Sequence, residues 1–128
     1  MSILILLCMF FMHIVDDYYL QGILASMKQK SWWEKNASDP LYKNDYKMTL
    51  AEHAFSWTFM MMLPVVIYTA IIGTMLPIWF IVILFFLNMI IHALVDNAKA
   101  NEKTINLVQD QSIHFIQIIC TWLVLGVL

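Results

Sequence analysis

The chain has 128 residues, 62% hydrophobic and 12% charged, with a formal net charge of −2 and a mean hydropathy of +0.75. Soluble domains carry about half apolar and a quarter charged residues, so this composition excludes that class, and the lack of a basic stripe excludes a nucleic-acid binder. It describes one integral membrane domain, residues 1–128, whose first partner is the lipid bilayer; a hydrocarbon core about 30 Å thick takes roughly 20 residues per helix and leaves room for about four spans.

The first span is expected over residues 2–27. Its apolar run to Val15 is too short alone, so the helix must continue through Asp16 and Asp17 and carry two acids into the bilayer. A secretory signal peptide is not expected, because no Lys or Arg precedes the apolar run and acids interrupt it. Residues 28–48 form a loop, with Trp32 and Trp33 as an interfacial aromatic segment and a turn at Ser38 to Pro40. Ala54 to Ile91 holds no Asp, Glu, Lys or Arg, so residues 49–72 and 77–98 read as two spans joined by a tight turn at Gly73 and Pro77. Pro64 is expected to kink the second span. A polar link follows, and residues 105–128 are the last span. The fold class is thus an all-α, four-helix membrane bundle.

All seven lysines fall in two loops, at 28, 30, 35, 43 and 47 and at 99 and 103, and there is no arginine. The positive-inside rule makes that side cytoplasmic and leaves both termini on the other. The polar groups of the spans then gather in the cytoplasmic leaflet. These are His13, Asp16, Asp17 and Gln21 of the first span, His53 of the second, His92 and Asp96 of the third, and Asp110 and His114 of the fourth. Three of the four histidines have an aspartate four residues away, just over one helical turn, so each pair shares a helix face.

Such groups are expensive in lipid. A charged Asp at a helix centre costs on the order of 3 kcal/mol on insertion scales, so these acids need a counter-charge. A protonated histidine, Lys99 one turn beyond Asp96, or a divalent metal would supply it. Imidazole with carboxylate suits zinc first, with manganese, iron or nickel as alternatives. The expected metal ligands are His92, Asp96, Asp110 and His114, with His13, Asp17 and His53 as further ligands or the general base. Seven candidate ligands exceed the four of one zinc, which leaves room for two metals or one metal plus a base. The plainer reading is that these residues only hydrogen-bond between helices, at about 0.6 to 2 kcal/mol per contact.

Gln21, Asn88, Gln111 and Gln117 are candidates to orient the ligands, or else to bridge neighbouring helices. Lys99 either neutralises Asp96, holds an anionic headgroup, or snorkels to the interface. Cys8 and Cys120 are expected as buried free thiols in the opposite leaflet. The methionines, Met60 to Met62 among them, are expected as packing.

The order His13-x-x-x-Asp17 with Gln21 and Lys28 behind it, Leu50-x-x-His53, His92-x-x-x-Asp96-x-x-Lys99 and Asp110-Gln111-x-x-His114 resembles a family of short bacterial and phage membrane proteins, catalogued as the domain of unknown function numbered 3307. The resemblance covers nearly the whole chain. It implies a compact helical fold in a bacterial inner or plasma membrane and carries no established activity. A looser similarity exists to membrane-bound metal-dependent hydrolases, which also carry intramembrane His and Asp motifs.

The expected function is a metal-dependent hydrolase in which water activated by the metal attacks a lipid or lipid-linked ester or phosphoester at the cytoplasmic leaflet. An arginine-containing phosphate clamp, a Gly-x-Ser-x-Gly element and a P-loop are all missing. The alternatives are a small transporter or channel oligomer handling protons or metal ions, disfavoured by apolar outer halves, and a structural or holin-like phage membrane protein.

Overall fold

The computed structural model describes residues 1–73 and 76–127, which are all-helical with irregular links. Helix α1 (Ile3–Val15) opens at Ser2, whose Oγ accepts the Leu4 N–H at 3.2 Å, satisfying one of the unpaired first-turn donors. It runs on into a π-helical turn, Asp16–Leu20. The expected continuous helix to residue 27 does not form. Gly22, at φ +50°, turns the chain through the left-handed region that glycine enters at no steric cost, and the short α2 (Leu24–Met27) follows.

The stretch expected as a loop folds into α3 (Lys30–Asn36) and a 3₁₀ turn, Pro40–Tyr42, capped by Asp39, whose Oδ1 accepts the Leu41 N–H at 2.8 Å. Met27 O ties this region down, accepting from Trp33 Nε1 at 2.6 Å and Thr49 Oγ1 at 2.8 Å. Helix α4 (Asp45–Ile72) begins four residues before the expected span and passes through Pro64 within one element. At about 1.5 Å per residue it is roughly 42 Å long, more than a hydrocarbon core needs. It stops at Gly73, φ +72°; the tight turn expected next includes residues 74 and 75, outside the described residues.

Helix α5 (Ile78–Asn97) follows Pro77 and passes into a second π-helical turn, Ala98–Glu102, which Lys103 ends at φ +55°. Helix α6 (Leu107–Val127) opens with a reciprocal cap: Asn106 Oδ1 accepts the Gln109 N–H at 3.0 Å and Gln109 Oε1 accepts the Asn106 N–H at 2.9 Å. The final position of the expected last span lies outside the described residues.

Among the described residues, three segments are long and apolar enough to cross a bilayer: Ile3–Leu20, Pro40–Ile72 and Ile78–Glu102. Helix α6 spans 21 residues, enough in length, but Gln109, Asp110, Gln111, His114 and Gln117 lower the hydropathy of its first half. Helix α4 packs on α1 and α5, and α6 packs on the same two helices. The apolar core gathers Met9 from α1, Trp57, Met61 and Val65 from α4, Leu84 from α5 and Ile118 from α6. Large apolar side chains such as Phe11, Phe59, Ile83, Phe86 and Ile116 lie on the outside. The thiols depart from expectation: Cys8 is half-buried and Cys120 exposed. Cys120 shares the outer face of α6 with Ile116 and Leu123, at helical spacings of four and three.

Candidate metal centre

Beside the apolar core, the helices turn a set of ionisable side chains inward. His13, His53, His92 and His114 are fully buried, as are Asp16 and Asp110, while Asp96 is 2% and Asp17 7% exposed. The four-residue spacing brings each pair together as expected, with N···O separations of 3.6 Å (His13–Asp17), 3.8 Å (His92–Asp96) and 3.5 Å (His114–Asp110). Adjacent residues on a regular helix point about 100° apart. The π-helical turn beginning at Asp16 accompanies the burial of both Asp16 and Asp17, and a second one begins two residues after Asp96. Such turns recur at functional sites.

The cluster has a focus. His53 Nε2 lies 3.2 Å from His92 Nε2, 3.2 Å from Asp96 Oδ2 and 3.4 Å from Asp17 Oδ1. Among the described residues, two overlapping sets, Asp17–His53–His92 and His92–Asp96–His114, each place three ligand atoms within 4.8 Å of one another. Asp110 and His13 fall outside both sets.

Lysines neutralise part of the charge, though not in the expected pairing. Lys28, itself 7% exposed, donates to Asp96 Oδ2 at 2.6 Å and to Gln21 Oε1 at 3.1 Å, whereas Lys99 donates to Asp110 Oδ2 at 2.5 Å. The turn at Gly22 folds α2 back so that Lys28 reaches Asp96. Lys99 lies inside the π-helical turn, out of the regular register that would have stacked it below Asp96. Gln21 also donates to the Asp17 carbonyl.

A chain of hydrogen bonds fixes His13. Trp57 Nε1 can only donate and gives its hydrogen to His13 Nδ1 at 2.6 Å, so the His13 proton is on Nε2, which donates to Gln111 Oε1 at 3.0 Å. The Gln111 amide nitrogen is thereby aimed at Asp17 Oδ2 (3.3 Å) and Asp110 Oδ2 (3.1 Å). His13 thus uses both ring nitrogens in orienting acids through Gln111. Trp57 also stacks on His92 with centroids 4.1 Å apart and planes at 18°, and His114 stacks on His92 at 4.2 Å and 29°.

Asn88 and Gln117 form a separate polar layer. Gln117 Nε2 donates to Asn88 Oδ1 (2.9 Å) and O (2.8 Å), and Thr121 Oγ1 donates to Asn88 Oδ1 (3.0 Å), joining α5 to α6 without reaching an imidazole. Of their two expected roles, these residues take helix bridging. Sequence reasoning missed Ser56, which donates to Asp16 Oδ1 at 2.6 Å, the role of Trp57, and the burial of Lys28. Ser56 lies three residues after His53 and Trp57 four, so the face of His53 was the available signal.

The donor set fits a divalent metal. Zinc bonds of 2.0–2.1 Å in tetrahedral array place ligand atoms about 3.3–3.4 Å apart, close to the separations around His53 Nε2. Nitrogen and carboxylate oxygen donors without sulfur suit zinc, manganese or iron. Fold and site together define a protein that is all-helical over the described residues, with three helices among them long and apolar enough to cross a membrane and a buried His/Asp cluster able to hold a metal ion. No protein-family model, curated protein or solved structure matches the chain.

Proposed function

We propose that this is a membrane-embedded metal-dependent hydrolase acting on an ester or phosphoester of a lipid or lipid-linked substrate. In this reading α1, α4, α5 and α6 form a four-helix bundle in the bilayer, with the lysine-bearing loops on the cytoplasmic side and both termini opposite. The observation that carries it is the convergence of imidazole and carboxylate groups from these four helices on one buried cluster in an otherwise apolar protein. Intramembrane ionisable residues are functional by default, because lipid makes them costly. The apolar exterior, Phe11, Phe86 and Ile116 included, supports burial in lipid, since a soluble monomer rarely exposes so continuous an apolar surface. The motif resemblance to the family numbered 3307 agrees with a compact helical membrane protein of this length.

A bound divalent metal would supply Lewis acidity and a water of lowered pKa. The chain's own residues would do the rest. His53, His92, Asp17 and Asp96 hold the ion, His13 and Gln111 orient the acids, and Lys28 and Lys99 supply positive charge at the rim. The test is zinc content of detergent-purified protein together with release of product from phospholipid and lipid-linked phosphoester substrates. Metal-dependent turnover lost in His92→Ala supports the reading, and metal-replete protein inert on every ester class refutes hydrolysis.

A second reading, a transporter of protons or metal ions, is favoured by one observation. The Asn88–Gln117–Thr121 layer adds buried polar groups beyond the imidazole cluster. Zinc-dependent flux into proteoliposomes without ester turnover would select it.

A further inference from the structure

The cluster holds more candidate ligands than one metal needs, and its charge and hydrogen-bond balance select among them. Four carboxylates, Asp16, Asp17, Asp96 and Asp110, face two ammonium groups, Lys28 and Lys99, that are already paired to Asp96 and Asp110. With the imidazoles neutral, as ligation requires, the balance is −4 + 2 = −2. One divalent cation cancels this charge, and two would leave the buried core at +2, which a low-dielectric interior strongly disfavours.

The second balance concerns hydrogens. His53 Nε2 carries either one hydrogen or one lone pair, so it can satisfy only one of the three polar atoms within 3.4 Å of it by hydrogen bonding. A cation accepts all four lone pairs at once. Ligation through Nε2 also places the His53 hydrogen on Nδ1. That atom has no hydrogen-bond partner among the described residues, and neither has Asp16 Oδ2, which lies 3.9 Å away. These two buried groups become donor and acceptor to each other once the metal fixes the tautomer and the pair closes from 3.9 Å to about 3 Å, the carboxylate–histidine–metal arrangement that orients ligating imidazoles elsewhere. Ser56, donating to the other Asp16 oxygen at 2.6 Å, holds the carboxylate for that role. His114 Nε2 lies 3.3 Å from Asp96 Oδ1 and steadies the same carboxylate from its far side.

Resting on the metal reading above, we propose that the protein binds a single divalent cation. Its ligands are His53 Nε2, His92 Nε2, Asp96 Oδ2 and Asp17 Oδ1, and Asp16 is the positioning residue for His53. Asp110 and His114 act in the surrounding charge balance and take no second ion.

Native mass spectrometry of zinc-loaded protein released from detergent tests this, with a zinc-affinity titration on the same samples. One zinc per wild-type chain is expected, retained in Cys8→Ala and lost in Asp17→Asn and His53→Ala. Asp16→Asn retains the ion with affinity weakened about 10- to 100-fold. Two zinc ions per wild-type chain, or wild-type affinity in Asp17→Asn, overturns the inference and leaves the metal reading standing. A zinc-free wild-type protein after loading refutes the metal reading and the inference with it. The wild-type count decides between one ion and two even where a variant fails to fold.

Discussion

Trp57 makes the sharpest structural prediction, because a single atom of it sets a tautomer. Its indole is fully buried, donates to His13 Nδ1 at 2.6 Å and stacks on His92. Trp57→Phe keeps an aromatic face against His92 and deletes the donor, leaving a buried imidazole nitrogen without a partner at a cost of about 1–3 kcal/mol. The smaller ring adds a cavity term of about 1 kcal/mol, for a total of about 2–4 kcal/mol. Trp57→Ala removes the stacking surface as well and is expected to exceed about 4 kcal/mol. Equilibrium unfolding by SDS in mixed micelles, followed by far-UV circular dichroism, reads these differences. A cycle with His13→Leu isolates the hydrogen bond, and a coupling of about 1 kcal/mol or more is expected. Trp57→Phe within about 0.5 kcal/mol of wild type, or no coupling to His13, refutes the assignment of the His13 proton to Nε2.

Asn88→Ala strips Gln117 and Thr121 of their shared acceptor and is expected to destabilise by about 1–3 kcal/mol in the same unfolding assay, with zinc affinity unchanged. Zinc retention is expected to fall as the pH is lowered, because the imidazoles must be neutral to ligate and protons compete with the metal for their lone pairs; equilibrium dialysis from about pH 7.5 to 5 checks it, and pH-independent retention contradicts it. A cysteine placed at exposed Ser38, in a Cys8→Ala, Cys120→Ala background, is expected to react with an impermeant maleimide only from the cytoplasmic side of oriented membrane vesicles. Labelling from the opposite side would invert the proposed topology.

The four-residue His/Asp spacings carried most of the site in the sequence, because a helix turns that spacing into a shared face whatever the tertiary fold. The all-helical class was legible in the long apolar runs, whereas the helix count was not, because the expected first span breaks at Gly22 and the expected loop holds α3. Lys28 was not legible as the partner of Asp96. It lies in a polar, lysine-rich stretch without apolar period, and its approach depends on the left-handed Gly22 and on the anchoring of Met27 by Trp33 and Thr49. Trp57 read as core because it is core, and only the fold reveals that its N–H meets an imidazole. The π-helical turns at Asp16–Leu20 and Ala98–Glu102 were equally hidden, since no residue pattern in either segment marks them, yet the first accompanies the burial of adjacent acids and the second houses Lys99.

Zinc K-edge X-ray absorption on the loaded protein tests the metal centre most directly, since it reports both the presence of the ion and its ligand atoms. A first shell of nitrogen and oxygen near 2.0–2.1 Å with the multiple scattering of two imidazoles, and no sulfur, is the expected spectrum. A sulfur shell, the absence of imidazole scattering, or a fully hydrated ion would contradict a buried His/Asp metal centre.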